Sequence, residues 1–228
     1  MSIKPGILYI VATPIGNIDD ISQRALETLK KADAVICEEF REASTLLKRI
    51  GVLDKQLLQL NEHNEEEATE EIVMHLINGH SLALISDAGT PAFEDPGTVL
   101  VRRCMELEIP VKAVPGASSL MAAISLSPLP LEEFFYAGFL PRKDGPRKAK
   151  FTFLKRLSTS IIILDTPYRL GKMLEEIKEN FGPRKLVTLA IDLTQKSETV
   201  LHGPVQEVMK RAANRKGEFI LIIHFVRE

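Results

Sequence analysis

Three short segments of the 228-residue sequence concentrate Gly, Pro, Asp and Ser directly after apolar runs. They are Thr13-Pro14-Ile15-Gly16-Asn17, then Ser86-Asp87-Ala88-Gly89-Thr90-Pro91 continuing through Phe93 to Asp95-Pro96-Gly97, then Pro115-Gly116-Ala117-Ser118-Ser119. Glycine and proline shape a backbone that a ligand can approach closely, and Asp and Ser supply hydrogen bonds. Each segment alone reads as an ordinary strand-to-helix turn. Three together, at strand ends of one sheet, predict a ligand cleft, because open α/β sheets bind at the carboxyl ends of their strands. Asp87 is placed to receive polar groups of a ligand, with small Ala88 and Gly89 leaving room beside it. Glu38 and Glu39 follow the apolar run Ala34–Cys37 and share the same edge. They suit acid or base work, or else sit as solvated charges at a helix start. Arg41 either holds a phosphate or pairs with Glu38 or Glu42.

A second kind of chemistry lies further along. Between Arg142 and Arg156 stand Arg142, Lys143, Arg147, Lys148, Lys150, Lys155 and Arg156 against one acid, Asp144. Such a stretch neutralises RNA phosphates without needing a basic protein overall, whereas a solvated helix face is its plainer reading. The net charge of −2 excludes nucleic-acid binding by the whole surface. Other classes lose their support. There is no G-x-G-x-x-G after the first strand and no P-loop. His63, His75, His80, His202 and His224 never take H-E-x-x-H spacing, and Cys37 and Cys104 read as small core residues, so no metal is expected. Gly116-Ala117-Ser118-Ser119-Leu120 lacks the closing glycine of a nucleophile elbow. No apolar run reaches the roughly 18 residues of a membrane span, and no signal peptide is legible; a cytoplasmic location is expected.

The elements that must position these residues alternate from end to end. Ile7–Ala12, Ala34–Cys37, Leu57–Leu60, Leu82–Ser86 and Val111–Val114 read as strands, with amphipathic helices between them. Asp19 and Asp20 are placed to cap the first helix, Glu65, Glu66 and Glu67 crowd the first turn of another, and Asp95-Pro96 reads as a third start. The pattern is a mostly parallel sheet covered on both faces. After Ser127-Pro128-Leu129-Pro130 the strands are Phe134–Phe139, Ile161–Leu164, Lys185–Ile191, Glu198–Leu201 and Phe219–Phe225, with Thr166-Pro167 opening a helix and a short helix at Pro204–Ala213. Strands outnumber helices there, which predicts a mixed sheet. Phe134, Phe135, Tyr136 and Phe139 read as a buried strand. Two α/β domains follow, residues 1–114 and 115–228.

In order along the chain, Leu8-Tyr9-Ile10-Val11 with the Thr13–Asn17 segment, Ser86–Pro91 with Asp95-Pro96-Gly97, Pro115-Gly116-Ala117, and Gly138-Phe139-Leu140-Pro141 resemble the successive signatures of one family. It is the ribosomal RNA small subunit methyltransferase I family, a branch of the tetrapyrrole methylase superfamily. The resemblance implies a two-domain α/β enzyme, usually a homodimer, with S-adenosylmethionine in the cleft between domains. It also implies methylation of a cytidine 2′-hydroxyl in 16S ribosomal RNA of the small subunit. Position by position, it implies that Pro14, Ser86, Asp87, Ala88, Gly89 and Pro91 contact the cofactor, as do Ala117 and Ser118. Tyr168, within Asp165-Thr166-Pro167-Tyr168-Arg169, and Ala190 match segments near the far side of the cofactor, and Lys216-Gly217-Glu218 matches a further segment. Glu38 and Glu39 are then the candidate catalytic residues, and Arg41, Arg142, Lys143, Arg147 and Lys148 the candidate RNA contacts. Departures fall toward the substrate. Glu38-Glu39-Phe40-Arg41 stands where the family commonly has Glu-Asp-Thr-Arg, Asp165–Arg169 where it often has Glu-Ser-Pro-His-Arg, and Ile191-Asp192-Leu193-Thr194-Gln195 where it has Arg-Glu-Leu-Thr-Lys. They keep open a methylase acting on a small tetrapyrrole, or a cofactor-binding paralogue without catalysis.

Overall fold

The computed structural model describes residues 4–226. The chain divides at Ser118/Ser119 into two compact units, each with its own sheet and core.

The first unit runs β1 (Leu8–Val11), α1 (Gln23–Lys31), β2 (Ala34–Cys37), α2 (Phe40–Arg49), β3 (Gln56–Gln59), α3 (Glu65–Ile77), β4 (Leu82–Ile85), α4 (Thr98–Glu106) and β5 (Val111–Val114). Its strands lie in the order β3-β2-β4-β1-β5 and every pairing is parallel. All five strands therefore present their carboxyl ends at one edge. The two-residue period of a strand sorts the apolar side chains cleanly. Leu8, Ala34, Ile36, Leu82 and Leu84 pack with Ile72, Val73 and Leu76 of α3 and Leu100 and Cys104 of α4. On the other face Val11, Val35, Cys37, Ala83 and Ile85 pack with Ala25 and Leu29 of α1 and Ala43 and Leu47 of α2. Covering on both faces explains why β2 and β4 read as continuous apolar runs: both are buried throughout.

Two helix starts differ from expectation. Asp19 and Asp20 lie in a 3-10 turn whose cap is Asn17, and α1 is capped by Ser22, whose Oγ accepts from Ala25 N–H at 3.1 Å. Asp95-Pro96 does not open α4, which begins at Thr98. Glu65 instead accepts from the N–H groups of Gly97 (2.8 Å) and Val99 (3.3 Å), so the first residue of α3 caps its neighbour.

The second unit holds α5 (Ser119–Ser125), β6 (Phe134–Phe139), α6 (Asp144–Leu154), β7 (Ser160–Asp165), α7 (Leu170–Phe181), β8 (Leu186–Ile191), β9 (Thr199–Pro204), α8 (Val205–Ala212) and β10 (Phe219–Ile223). The order is β6-β7-β10-β8-β9, with β6–β7 parallel and the rest antiparallel, the expected mixed sheet. One face packs on Phe151 and Leu154 of α6, Met173, Leu174 and Ile177 of α7, and Val205 and Val208 of α8. A 3-10 turn, Pro167–Arg169, intervenes between Thr166 and α7. The aromatic strand β6 is not buried as expected. It is an edge strand with a register shift between Tyr136 and Gly138, so Phe135 reaches the core while Phe134 and Phe139 stay exposed.

Among the described residues no helix is long and apolar enough to cross a membrane. Cys37 and Cys104 are buried and unbridged, and burial pushes the Cys37 thiol up to about 12, with Asp87 and Glu39 adding to it. A thiol held protonated in this way is a core residue rather than a nucleophile.

Candidate functional site

The helices after β1 and β2 cover one face of the first sheet, whereas α4, after β4, covers the other. Since β4 lies between β2 and β1, the chain leaving it diverges from both neighbours and opens a crevice at their carboxyl ends. The loops found in the sequence meet there. Thr13 N–H donates to the Gly89 carbonyl at 2.8 Å, and Thr13 Oγ1 reaches the carbonyls of Ser86 (3.0 Å) and Gly89 (3.3 Å). Thr90 Oγ1 donates to the Ala117 carbonyl at 3.2 Å, and Ala12 N–H to the Val114 carbonyl at 3.1 Å. The loops after β1, β4 and β5 are thus tied into one surface, which brings Pro14, Ser86, Asp87, Ala88, Gly89, Pro91 and Ala117 together. Ser118 closes the same unit, half-buried.

The loop after β4 is closed on itself. Ser86 Oγ donates to Asp95 Oδ2 at 2.5 Å and accepts from Ala88 N–H at 3.2 Å. Gly97 sits at φ +135°, where a Cβ would come within 2.7 Å of Leu84 Cδ2, so only glycine lets the chain turn into α4. The sequence places Thr13 and Asp95 within the turn-rich segments but does not show the bonds they make. Asp95 was legible as part of the turn-rich segment and as a helix cap but not as the partner of Ser86, because a hydrogen bond nine residues back leaves no local pattern.

Carboxylates line the rim. The Glu39 backbone amide faces the Asp87 carboxylate and favours its ionised form. The Asp87 carboxyl is nevertheless raised, by desolvation first and then by Glu42, Asp95 and Glu39. Glu38, half-buried, is raised by desolvation, then by Asp87, Asp95, Glu62 and Glu39. Glu38 and Glu39 follow β2 at the carboxyl edge of the sheet. Arg41 is exposed on the first turn of α2 and, among the described residues, pairs with neither Glu38 nor Glu42.

In the second unit, Tyr168 lies 90% exposed in the turn after β7, and Ala190 is buried on β8 on the sheet face opposite α6, α7 and α8. Arg142, Lys143 and Lys148 are exposed. Arg147 is not, and its assignment as an RNA contact is corrected. It is 2% exposed, donating to Glu176 at 2.6 to 3.0 Å and to the carbonyls of Leu140 and Pro141 at 3.4 and 3.1 Å. A guanidinium sealed in and paired this way has no donor to offer a phosphate. Among the described residues no group of three or more His, Cys, Asp or Glu is arranged to hold a metal ion.

The groups that meet in the first unit suit a particular cofactor chemistry. Tight turns of small residues admit close backbone approach, and a carboxylate rim favours a ligand with positive charge, as a sulfonium carries. Residues 7–209 match the family Tetrapyrrole (Corrin/Porphyrin) Methylases. The chain is 41% identical over 223 residues to "Ribosomal RNA small subunit methyltransferase I" of Xylella fastidiosa, covering 96% of this chain and 81% of that protein. It is 40% identical over 222 residues to the Escherichia coli O157:H7 protein of the same name, covering 96% and 77%. Among solved structures it resembles a diphthine synthase (TM-score 0.72, 15% identity, covering 96% of this chain and 90% of that one). It also resembles the Thermus thermophilus uroporphyrin-III C-methyl transferase complexed with S-adenosyl homocysteine (TM-score 0.65, 17% identity, 96% and 97%). At such identities the structural likeness speaks for the fold.

Proposed function

The chain belongs to the tetrapyrrole methylase family, in its ribosomal RNA small subunit methyltransferase I branch, and from that premise we propose that it methylates the 2′-hydroxyl of a cytidine ribose in 16S ribosomal RNA. It is an S-adenosylmethionine-dependent methyltransferase. The observation that carries the reading is the tie between the loops after β1, β4 and β5, made by Thr13 on Gly89 and Thr90 on Ala117. These loops bring Pro14, Ser86, Asp87, Ala88, Gly89, Pro91, Ala117 and Ser118 to the cofactor.

The cofactor supplies an activated methyl group on a sulfonium, and in-line transfer from it needs no metal. The residues of the chain have three tasks. Asp87, with the closed loop behind it, holds polar groups of the cofactor and fixes its orientation, the main source of rate in such a transfer. Glu38 or Glu39 takes the proton of the ribose hydroxyl, and partial burial tunes Glu38 upward toward useful basicity. Arg41, Arg142, Lys143 and Lys148 neutralise RNA phosphates. The reading carries with it a cytoplasmic homodimer.

The test is transfer of labelled methyl groups to 30S subunits that lack the modification, followed by mapping of the labelled nucleotide. Label on a cytidine ribose is the expected result. Subunits that take up no label, beside a tetrapyrrole that does, would overturn the substrate and leave the cofactor in place.

A further inference from the structure

The turn after β7 contains a charged construction that the site in the first unit does not use. Asp165 ends β7 with its side chain wholly shielded from solvent. Its Oδ1 accepts from Thr166 N–H at 2.8 Å and lies 3.2 Å from Arg169 Nη1. Its Oδ2 has no hydrogen-bond partner among the described residues and stands 4.0 Å from Arg147 Nη2. Arg147 is itself anchored by Glu176. A buried carboxylate needs compensating charge. Here one arginine compensates it from the interior, and the other, Arg169, from the surface side.

Arg169 keeps 20% of its side chain exposed. A guanidinium offers five N–H donors in one plane. Asp165 takes one at Nη1, and the Leu140 carbonyl takes one at Nη2 at 3.5 Å. The second contact places Arg169 beside the end of β6, where Pro141 leads into Arg142 and Lys143, both exposed. The acid of that stretch, Asp144, lies 3.8 Å from Lys172. A planar donor held in orientation, with two exposed cations next to it, matches a phosphodiester better than a point charge would.

We propose that Arg169 binds a backbone phosphate of the RNA substrate, with Asp165 as the positioning residue that orients it and Arg142 and Lys143 as flanking countercharges. This rests on the RNA reading above and extends it to residues outside the basic stretch. Arg147 serves the contact at one remove, by fixing Asp165.

The test uses the full chain, a fragment of 16S ribosomal RNA for binding, and unmodified 30S subunits for turnover. Arg169→Gln should raise KM for the subunit by about tenfold, the loss of one charge-assisted pair. It should lower the salt slope of RNA affinity by roughly 0.7 to 0.9, with kcat and S-adenosylmethionine affinity unchanged. Arg169→Lys should keep the slope and still raise KM, because charge without a planar fork restores only part of the contact. Asp165→Asn, if it folds, should raise KM as Arg169→Gln does. A wild-type slope and KM in Arg169→Gln overturns the inference, and so does a loss confined to cofactor affinity. Wild-type protein with no salt-dependent RNA affinity overturns the RNA reading and the inference together.

Discussion

The Glu39 backbone amide favours the ionised form of Asp87, yet desolvation first, then the nearby Glu42, Asp95 and Glu39, outweigh it and raise the carboxyl. A carboxyl whose folded pKa exceeds its unfolded value costs stability once ionised, and the cost disappears as pH falls through the folded value. Asp87→Asn should therefore stabilise the apoprotein at pH 7, by less than about 1 kcal/mol because the group is solvent-accessible. The same change should weaken S-adenosylmethionine binding by about tenfold, since a charged acceptor is lost. Thermal melting and titration calorimetry on one preparation check both directions; a variant less stable and equally tight in binding would contradict the assignment. Arg147 is the opposite case. Removing it leaves the largely buried Glu176 without its partner and Asp165 with Arg169 as its one remaining arginine, so Arg147→Met should cost about 3 kcal/mol in urea unfolding. Counting charges along the sequence placed Arg147 with Arg142 and Lys143. Its burial was illegible there, because the residue that draws it inward, Glu176, stands 29 positions away.

At the scale of elements, β2, β4 and their caps show what a sequence can and cannot carry. Continuous apolar runs and glycine-rich loops are local, so the sheet, its two-sided burial and the carboxyl-edge loops were legible. Caps made across the fold, such as Glu65 on the start of α4, were not, and Asp95-Pro96 was misread for that reason. The exposed aromatics of β6 escaped too, since composition does not say which strand lies at an edge. The antiparallel strands of the second unit hold one more nonlocal group. Thr188 Oγ1 lies 2.7 Å from His224 Nε2 and 2.9 Å from His202 Nδ1. One hydroxyl proton cannot serve both nitrogens, so at least one histidine donates to Thr188. Nδ1 of His224 is buried without a partner, and an unpaired acceptor is cheaper to bury than an unpaired N–H. That favours the tautomer in which His224 donates through Nε2 and stays neutral. Desolvation, then His202 and Lys185, lower its pKa to about 4. Above pH 6.5 neither state is charged. Between pH 6.5 and 4 the unfolded chain binds a proton that the folded chain refuses, so His224 withdraws about 3 kcal/mol of stability over that window. Urea midpoints at pH 7, 5.5 and 4.5 should fall accordingly, and His224→Gln, weaker at neutral pH, should lose much of that slope.

At the scale of the whole molecule, the near-neutral charge conceals a division between the two units. Residues 1–118 carry 11 Lys and Arg against 19 Asp and Glu, a net of −8, and residues 119–228 carry 18 against 12, a net of +6. An acidic unit suits a cationic cofactor and repels a polyanion, whereas a basic unit attracts one. RNA affinity should then depend on where charge is removed rather than on how much. Neutralising Arg142 and Lys143 to Gln and neutralising Lys30 and Lys31 to Gln change the net charge equally, and all four side chains are exposed. The first pair should lower the salt slope of RNA affinity by about 1.4 to 1.8 and weaken binding at low salt. The second pair, at the last turn of α1, should leave the slope within error and cost only a few tenths of a kcal/mol in stability through the helix dipole. Equal slopes from the two double variants would mean that the chain senses RNA through its overall charge, and would remove the basic unit from the account of substrate binding.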